Sequence, residues 1–186
     1  MKYQILAILL IILFFIQSKN ELFKNMTKLI YVHIPKTGGT SVEKYGKTHG
    51  INWGRHMKFP RPIKKINSPY WHLPPTLFNQ KKSPYNGKKL FTIVRNPYDR
   101  VVSEYKYRNE IWPKKNGNVN KKGLNNFIRN LEREIKKNKY CFDSHFVPQH
   151  EFIDEDTEVI KLENIEKDFP ILMKKYNLPE EKLPKT

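Results

Sequence analysis

A glycine-bearing loop lies between a predicted strand and a predicted helix near the start of this chain of 186 residues. Residues 29–34 are rich in β-branched and aromatic side chains, as in a short buried strand. Residues 40–43 read Thr-Ser-Val-Glu, the spacing of a capping box that opens a helix. A strand, a glycine turn and a helix N-terminus bring free backbone N–H groups to a positive helix end. We therefore predict a site for a phosphate-like anion, to which Lys36 adds a full charge; an ordinary capped turn is the alternative.

The residue order in this loop argues against the P-loop of nucleotide hydrolases. That motif places its lysine after the last glycine, beside the hydroxyl residue that binds magnesium. Here Lys36 precedes Gly38 and Gly39. Nucleotide hydrolysis also needs an acidic metal ligand at a second strand end. The later predicted strands offer no convincing one, because the first ends at Arg95 and the next runs into Glu163. The sequence therefore favours an anion site without a metal.

A second strand-to-helix unit follows at residues 90–105. Residues 90–94 form a continuous apolar run, as expected at the centre of a parallel sheet. Asn96 is predicted to cap the next helix, with Pro97 in the first helical position. Side chains that recur at helical spacing are expected to face the core: Tyr98, Val101, Val102 and Tyr105.

Arg95 stands at the carboxyl end of this second predicted strand. Ligands of open α/β sheets bind outside the carboxyl ends of the strands. A guanidinium group suits a phosphate there, because its planar fork donates two parallel hydrogen bonds. The alternative is a surface arginine that pairs with Asp99. Two anion sites at two strand ends predict a ligand with two separated anionic groups.

The two segments resemble the paired nucleotide-binding motifs of sulfotransferases that use 3′-phosphoadenosine 5′-phosphosulfate (PAPS). Pro-Lys-Thr-Gly-Gly-Thr-Ser at 35–41 and Arg-Asn-Pro-Tyr-Asp-Arg-x-Val-Ser-x-Tyr at 95–105 are similar to motifs of the membrane-anchored carbohydrate sulfotransferases, including those acting on heparan and chondroitin. The resemblance spans residues 29–180. It implies an α/β fold of the three-layer, P-loop-like sulfotransferase type, with a central, mainly parallel sheet flanked by helices.

The resemblance also implies roles for individual residues. In that family the first loop binds the 5′-phosphosulfate of PAPS, which here implies Lys36, Thr37, Gly38, Gly39, Thr40 and Ser41. The second motif binds the 3′-phosphate through a strand-end arginine and a serine eight residues later, here Arg95 and Ser103. Residues 143–149 are similar to a His-aromatic-x-Pro-Gln segment near the acceptor, which implies substrate binding by His145 and Gln149.

The implied reaction is in-line transfer of a sulfuryl group from PAPS to a carbohydrate hydroxyl, with no metal. Lys36 is expected to face the leaving phosphate oxygen. A base must take the hydroxyl proton, and histidine suits this near neutral pH. We predict His72 as that base, because related enzymes place a histidine just upstream of the second motif; His56 is the second candidate. A structural role is the alternative for each histidine, and His33 is predicted to be structural.

The composition bears on the partners. The net charge of +17 favours a polyanionic partner, such as an acidic polysaccharide acceptor, and no nucleic acid is expected. Lysine (28 residues) far outnumbers arginine (7), however. This bias indicates that much of the positive charge is spread over the protein surface, where water solvates it. The single cysteine, Cys141, excludes an internal disulfide and a cysteine-based metal site. Two other classes stay open: a non-catalytic basic protein that binds glycans or nucleic acid, and a small-molecule or nucleotide kinase.

The N-terminal segment carries an uncharged apolar run of 12 residues at 5–16. As a helix it would span about 18 Å, less than the ~30 Å of a bilayer core, and its length fits a signal peptide without a clear cleavage site. Lysines after the run outnumber Lys2 before it, which favours the orientation opposite to a signal anchor.

From the resemblance we nevertheless expect residues 1–27 to be a signal anchor or signal peptide with a short stem, and residues 28–186 to be the sulfotransferase domain. The expected location is a single-pass membrane protein with a Golgi-type lumenal domain, or a secreted protein if the segment is cleaved. Members of that family usually continue with further helices, so the domain ending at Thr186 is expected to be short at its carboxyl end.

Overall fold

A computed structural model describes residues 8–18, 29–111 and 119–184 of the chain. Residues 8–18 form a helix, α1. Within the described ranges, none of the helices has both the length and the apolar character that crossing a bilayer requires. The predicted boundary between residues 27 and 28 lies outside the described residues, so the division into two regions stays a prediction.

Parallel strands form the sheet in the described part of the chain. They are β1 (Leu29–Val32), β2 (Lys89–Val94) and β3 (Glu158–Lys161), in the order β1-β2-β3. Ile30 pairs with Leu90, and Ile93 pairs with Ile160. The central position of β2 explains its continuous apolar run, because a strand with neighbours on both sides and layers on both faces has little contact with water.

A helix follows each strand. β1 leads into α2 (Gly39–Thr48), β2 into α3 (Pro97–Ile111), and β3 into α5 (Ile165–Lys175) by way of a single turn. A further helix, α4 (Lys121–Lys137), packs on α3 through a contact between Tyr105 and Phe127. The carboxyl ends of the parallel strands therefore lie at one edge of the sheet, next to the N-termini of α2 and α3.

The two faces of the sheet are covered differently. Leu29 and Tyr31 of β1 belong to a core shared with α2 and α5. Ile30 and Val32 point to the opposite face, because side chains alternate along a strand. Short 3₁₀ turns and loops cover that second face, with Leu73, Phe78, Tyr85, Val147 and Phe152 in its core. The predicted α/β fold with a parallel sheet flanked by helices is confirmed.

The start of α3 differs in part from the prediction. Asn96 caps the helix as expected, since its Oδ1 accepts a hydrogen bond from the backbone N–H of Tyr98 at 2.9 Å. Tyr105 is buried as predicted, but Tyr98 is 81% exposed and does not face the core. The predicted apolar stripe therefore covers only the later turns of α3, because its first turn extends past the end of β2 into solvent.

Candidate active site

The loop between β1 and α2 turns at two residues with left-handed backbone. Lys36 has φ 67° and Gly38 has φ 87°, and the glycine adopts this conformation without the steric cost that a side chain adds. The hydroxyl of Thr37 donates to the carbonyl of Ile34 at 2.7 Å and is fully buried. Thr37, predicted to bind the donor, thus folds the loop through its side chain.

The helix after this loop begins earlier than predicted. Gly38 is the N-cap of α2, and no described side chain caps it, so the predicted capping box at Thr40 is wrong. Thr40 lies inside the helix, and the Glu43 carboxylate instead contacts His33 Nδ1 and the backbone N–H and Nε of Arg55. An uncapped first turn directs backbone N–H groups outward, which is the arrangement that binds anions.

A side-chain amide fixes the carboxyl end of β2. The backbone N–H of Arg95 donates to Gln149 Oε1 at 2.9 Å, and Gln149 Nε2 donates to the Arg95 carbonyl at 2.8 Å. The Arg95 guanidinium reaches the loop after β1, where Nη1 donates to the Lys36 carbonyl at 3.4 Å. Gln149, predicted to bind substrate, therefore holds the strand end that presents Arg95.

One cleft of about 530 Å³ opens at these two strand ends. Predicted site residues that line it are Lys36, Gly38, Gly39, Thr40, His72, Arg95, Ser103 and His145. Ser41 and Gln149 are not among its lining residues. His56, the second candidate for the base, is exposed in the turn Gly54–His56 and does not line the cleft either. The structure thus brings together most of the residues that the two motifs predicted.

A smaller space of about 360 Å³ adjoins this cleft beside α3. Lys36, Arg95 and Ser103 line both spaces, and Lys106 and Asp99 line the smaller one. Three cationic side chains against one carboxylate favour an anion there. The Lys36 ammonium lies 3.8 Å from the centroid of the Tyr107 ring, a cation–π contact that joins the loop to α3.

Three histidines form a row along the cleft. The ring centroids of His33 and His72 are 5.0 Å apart, those of His72 and His145 are 4.8 Å apart, and both pairs meet edge to face. His33 was expected to be structural, and His72 and His145 were expected at the site. We call His33, His72 and His145 the histidine row.

Each outer histidine of the row is held by a buried glutamate that also meets an arginine. His33 Nδ1 lies 2.7 Å from Glu43 Oε1, and Arg55 Nε lies 2.6 Å from Glu43 Oε2. We call these three residues the His33 group. Burial raises the pKa of Glu43, but its hydrogen bonds and charge contacts with His33 and Arg55 outweigh that effect and hold it below its usual value.

The His145 group repeats this arrangement with Glu104 and Arg108 of α3. His145 Nδ1 lies 2.8 Å from Glu104 Oε2, and Arg108 Nε lies 2.6 Å from Glu104 Oε1. The Glu104 side chain is completely buried. Because a carboxylate can only accept, the Nδ1 atom of each outer histidine carries the proton, and Nε2 is the acceptor nitrogen when the ring is neutral.

His72 has a different partner. Its Nδ1 lies 3.1 Å from the backbone carbonyl of Asp143, so Nδ1 donates and Nε2 is the acceptor nitrogen here too. The pKa of His72 is lowered to about 2, first by burial and then by its proximity to His33 and His145. The central ring is therefore neutral at physiological pH.

Arg100, for which the sequence predicted no role, connects the segments that form the site. Its guanidinium is buried and donates to three carbonyls: Pro35 at 2.9 Å, Val147 at 3.2 Å and His145 at 2.6 Å. Burial lowers the pKa of Arg100 to about 10, although Glu104 opposes this shift. Arg100 thus ties α3 to the loop before Lys36 and to the segment that carries His145.

A sequence signal for these missed residues does exist. Arg100, Glu104 and Arg108 recur every four positions, which puts them on one face of α3. Glu104 is fully buried there, and Arg100 is nearly so. A buried row of charges on a helix indicates polar partners from another part of the chain. The spacing does not predict which residues these partners are, here His145 for Glu104 and Pro35 for Arg100.

No group of three or more histidine, cysteine, aspartate or glutamate side chains in the described ranges is arranged to hold a metal ion. Glu163, the acid that follows β3, accepts a hydrogen bond from the backbone N–H of Asn96 at 2.7 Å. The carboxylate at this strand end thus fixes the beginning of the helix after β2.

Comparison with known proteins identifies the family of the chain. No curated protein and no solved structure matches the chain significantly. A profile described as "Sulfotransferase family" matches residues 21–185, nearly the whole chain. This match confirms the predicted resemblance at the level of the family, and the match covers both strand ends and the histidine row. The chain belongs to the sulfotransferase family, whose enzymes transfer a sulfuryl group to an acceptor.

Proposed function

We propose that this protein transfers a sulfuryl group from PAPS to a hydroxyl of a carbohydrate. One observation carries the proposal: Lys36, Arg95 and Ser103, from two separate motifs, line a single cleft beside the histidine row. A donor with two anionic groups needs cationic and N–H donors at two separated points, and the two strand ends supply them. The family relationship supports the transfer itself, and PAPS is the co-substrate that it implies.

The donor would lie across the carboxyl ends of β1 and β2. Gly38, Gly39 and Thr40 offer the uncapped helix N-terminus to the 5′-phosphosulfate, and Lys36 adds its charge. Arg95 and Ser103 lie on the α3 side, where they would hold the 3′-phosphate. Thr37 contributes by folding the loop, because its hydroxyl is already bonded to Ile34.

The chemistry resembles phosphoryl transfer, in which positioning and charge stabilisation do most of the work. The acceptor oxygen attacks sulfur, and the bond from sulfur to the phosphate oxygen breaks. Lys36 would stabilise the charge that develops on that leaving oxygen. A histidine of the row would take the hydroxyl proton through Nε2; His72 is the candidate that the sequence pattern predicts, and His145 meets the same tautomer requirement.

A carbohydrate acceptor, and an acidic polysaccharide in particular, fits the net charge of +17. Attachment to a membrane through the N-terminal segment would place such an enzyme where extended polysaccharides are modified. This attachment and the Golgi location stay predictions.

Transfer of labelled sulfate from PAPS to a panel of polysaccharides tests the proposal. We expect transfer by the wild-type protein and a fall of about 10²- to 10³-fold in kcat for Lys36→Ala, the usual cost of removing a group that stabilises transition-state charge. Lys44→Ala, which removes an exposed lysine of α2 outside the cleft, is the matched control. The rate of transfer by His72→Ala, relative to wild type, measures how strongly the reaction depends on the central ring of the histidine row.

Equal transfer by wild type and Lys36→Ala would overturn the proposed mechanism. Polysaccharide binding without transfer, governed by salt and indifferent to Lys36, would instead identify a non-catalytic basic binding protein. Phosphate transfer from a nucleoside triphosphate would identify a kinase.

A further inference from the structure

The three rings of the histidine row are not equivalent as proton acceptors. His72 has only a backbone carbonyl behind it, whereas His33 and His145 each have a glutamate carboxylate at Nδ1. A carboxylate behind an imidazole fixes its tautomer and stabilises the positive charge that the ring acquires when Nε2 takes a proton. A carbonyl dipole stabilises that charge much less. Electrostatics therefore favours an outer ring as the acceptor of the proton that leaves the substrate hydroxyl.

The two outer rings differ in what stands before Nε2. A Cβ atom built on Gly39 would lie 2.4 Å from His33 Nε2 and 2.6 Å from its Cε1. Both outer rings line the cleft, but the acceptor nitrogen of His33 faces the start of α2, where the donor is proposed to bind. His145 lines the cleft at the other end of the row, 4.8 Å from His72 between ring centroids. A hydroxyl placed at His72 is therefore close to His145 as well.

We propose that His145 is the general base of the transfer and that Glu104 is its positioning residue. The proposal rests on the sulfuryl transfer proposed above. When the acceptor oxygen forms its bond to sulfur, its O–H bond breaks and the proton moves to Nε2 of His145. The electron pair of the breaking sulfur–oxygen bond goes to the phosphate of the donor. Glu104 stays ionised and stabilises the imidazolium.

This assignment gives His72 a different task. Its pKa of about 2, caused first by burial, makes a lasting proton on that ring costly. With Nδ1 bonded to the Asp143 carbonyl, its Nε2 can accept a hydrogen bond from the acceptor and orient it. Removal of His72 is then expected to raise KM for the acceptor more than it lowers kcat.

Several charged or titratable groups surround the His145 group and influence any pH profile. α3 contributes Arg100, Tyr107 and Arg108. The loop after β1 contributes Lys36, and the turn before Leu73 contributes His72. All except Tyr107 and His72 are cations, so the Glu104 carboxylate is the negative charge in direct contact with the His145 ring among the described residues.

The test compares His145→Asn, Glu104→Gln and Glu43→Gln in the full chain. Asparagine keeps an N–H donor for Glu104 but has no Nε2, so we expect kcat to fall by about 100-fold or more, as when a general base is lost. Glu104→Gln keeps the shape and removes the charge; we expect kcat to fall about 10-fold with a shifted pH dependence. Glu43→Gln, the same change in the His33 group, should affect KM for PAPS more than kcat.

A spectroscopic readout separates this role from a structural one. Ring-nitrogen NMR of the wild-type protein should show His145 protonated at Nδ1, and Glu104→Gln should change the His145 ring signals while those of His33 keep their wild-type pattern. A His145 ring protonated at Nε2, or a kcat for His145→Asn within threefold of wild type, would overturn the proposal and leave sulfuryl transfer intact. Absence of transfer by the wild-type protein would remove the proposed function and this assignment with it.

Discussion

The His33 group and the His145 group use the same three residue types at opposite ends of one row. They differ in their surroundings: the Arg55 side chain is 46% exposed, whereas that of Arg108 is 14% exposed. The His33 group is assembled from the residue after β1, from α2 and from the turn that follows α2, and the His33 ring packs on Gly39. The His145 group joins α3 to a distant segment, and the two groups reach the cleft from opposite ends of the row, through His33 and Arg55 and through His145. The same ionic chemistry therefore fixes the start of α2 in one group and, in our proposal, serves the transfer in the other.

The largest expected effect separates the two groups by stability. Glu104→Gln leaves Arg108 charged and mostly buried, and we expect the free energy of unfolding to fall by about 3 kcal/mol, as when one partner of a buried pair is removed. Glu43→Gln leaves Arg55 free to turn into water, so we expect a loss of about 1 kcal/mol. Urea unfolding of the two variants measures both values.

Arg129→Gln on the exposed face of α4 is the control for loss of one charge, and it should change the free energy of unfolding by less than about 0.5 kcal/mol. Equal losses for Glu43→Gln and Glu104→Gln would show that exposure of the arginine does not distinguish the two groups.

A smaller effect concerns the packing of His33 on the first residue of α2. Gly39→Ala would place a methyl group against the imidazole, and we expect a loss of about 2 kcal/mol, typical of overpacking. In a His33→Ala background the space is open, so the same change should cost about 1 kcal/mol less. A double-mutant cycle by urea unfolding gives this coupling, and a value near zero would contradict the close contact between Gly39 and His33.

The last expected effect appears only on acidification and concerns His72, which stands between the two groups. Its pKa is lowered from 6.5 to about 2 in the folded protein, so the unfolded chain binds more protons between these values. The stability from the neutral ring is fully present above pH 6.5 and is lost as the pH falls below it, by at most about 1.4 kcal/mol per pH unit. Unfolding free energies at pH 7 and pH 5 measure the slope, and His72→Gln should flatten it. An unchanged slope in that variant would mean that His72 carries a proton in the folded protein.

The elements that carry the site could be predicted because their signals are local. The apolar runs of β1 and β2, the glycine turn at Gly38 and the cap at Asn96 each depend on a few adjacent residues. A parallel sheet then brings the two strand ends to one edge, which is why Lys36 and Arg95 share a cleft as expected.

Two of the wrong or incomplete predictions concern partners from other elements of the chain. Thr40 and Glu43 have capping-box spacing, but Glu43 finds stronger partners in His33 and Arg55. The side-chain amide of Gln149 is taken up by the backbone of Arg95 and does not face the cleft. Local spacing cannot reveal such competition, because the competing donors come from other elements.

The sequence by itself determined the two motifs at strand ends, and through them the family, because each motif is a run of adjacent residues at the end of an apolar strand. Only the tertiary structure decided which other side chains share the cleft with these motifs. His33, His72 and His145 come from three separate segments, and they form a row because Arg100, Glu43 and Glu104 are buried and must find partners. A buried charge without a partner is too costly to persist, and this requirement fixes the geometry of the cleft.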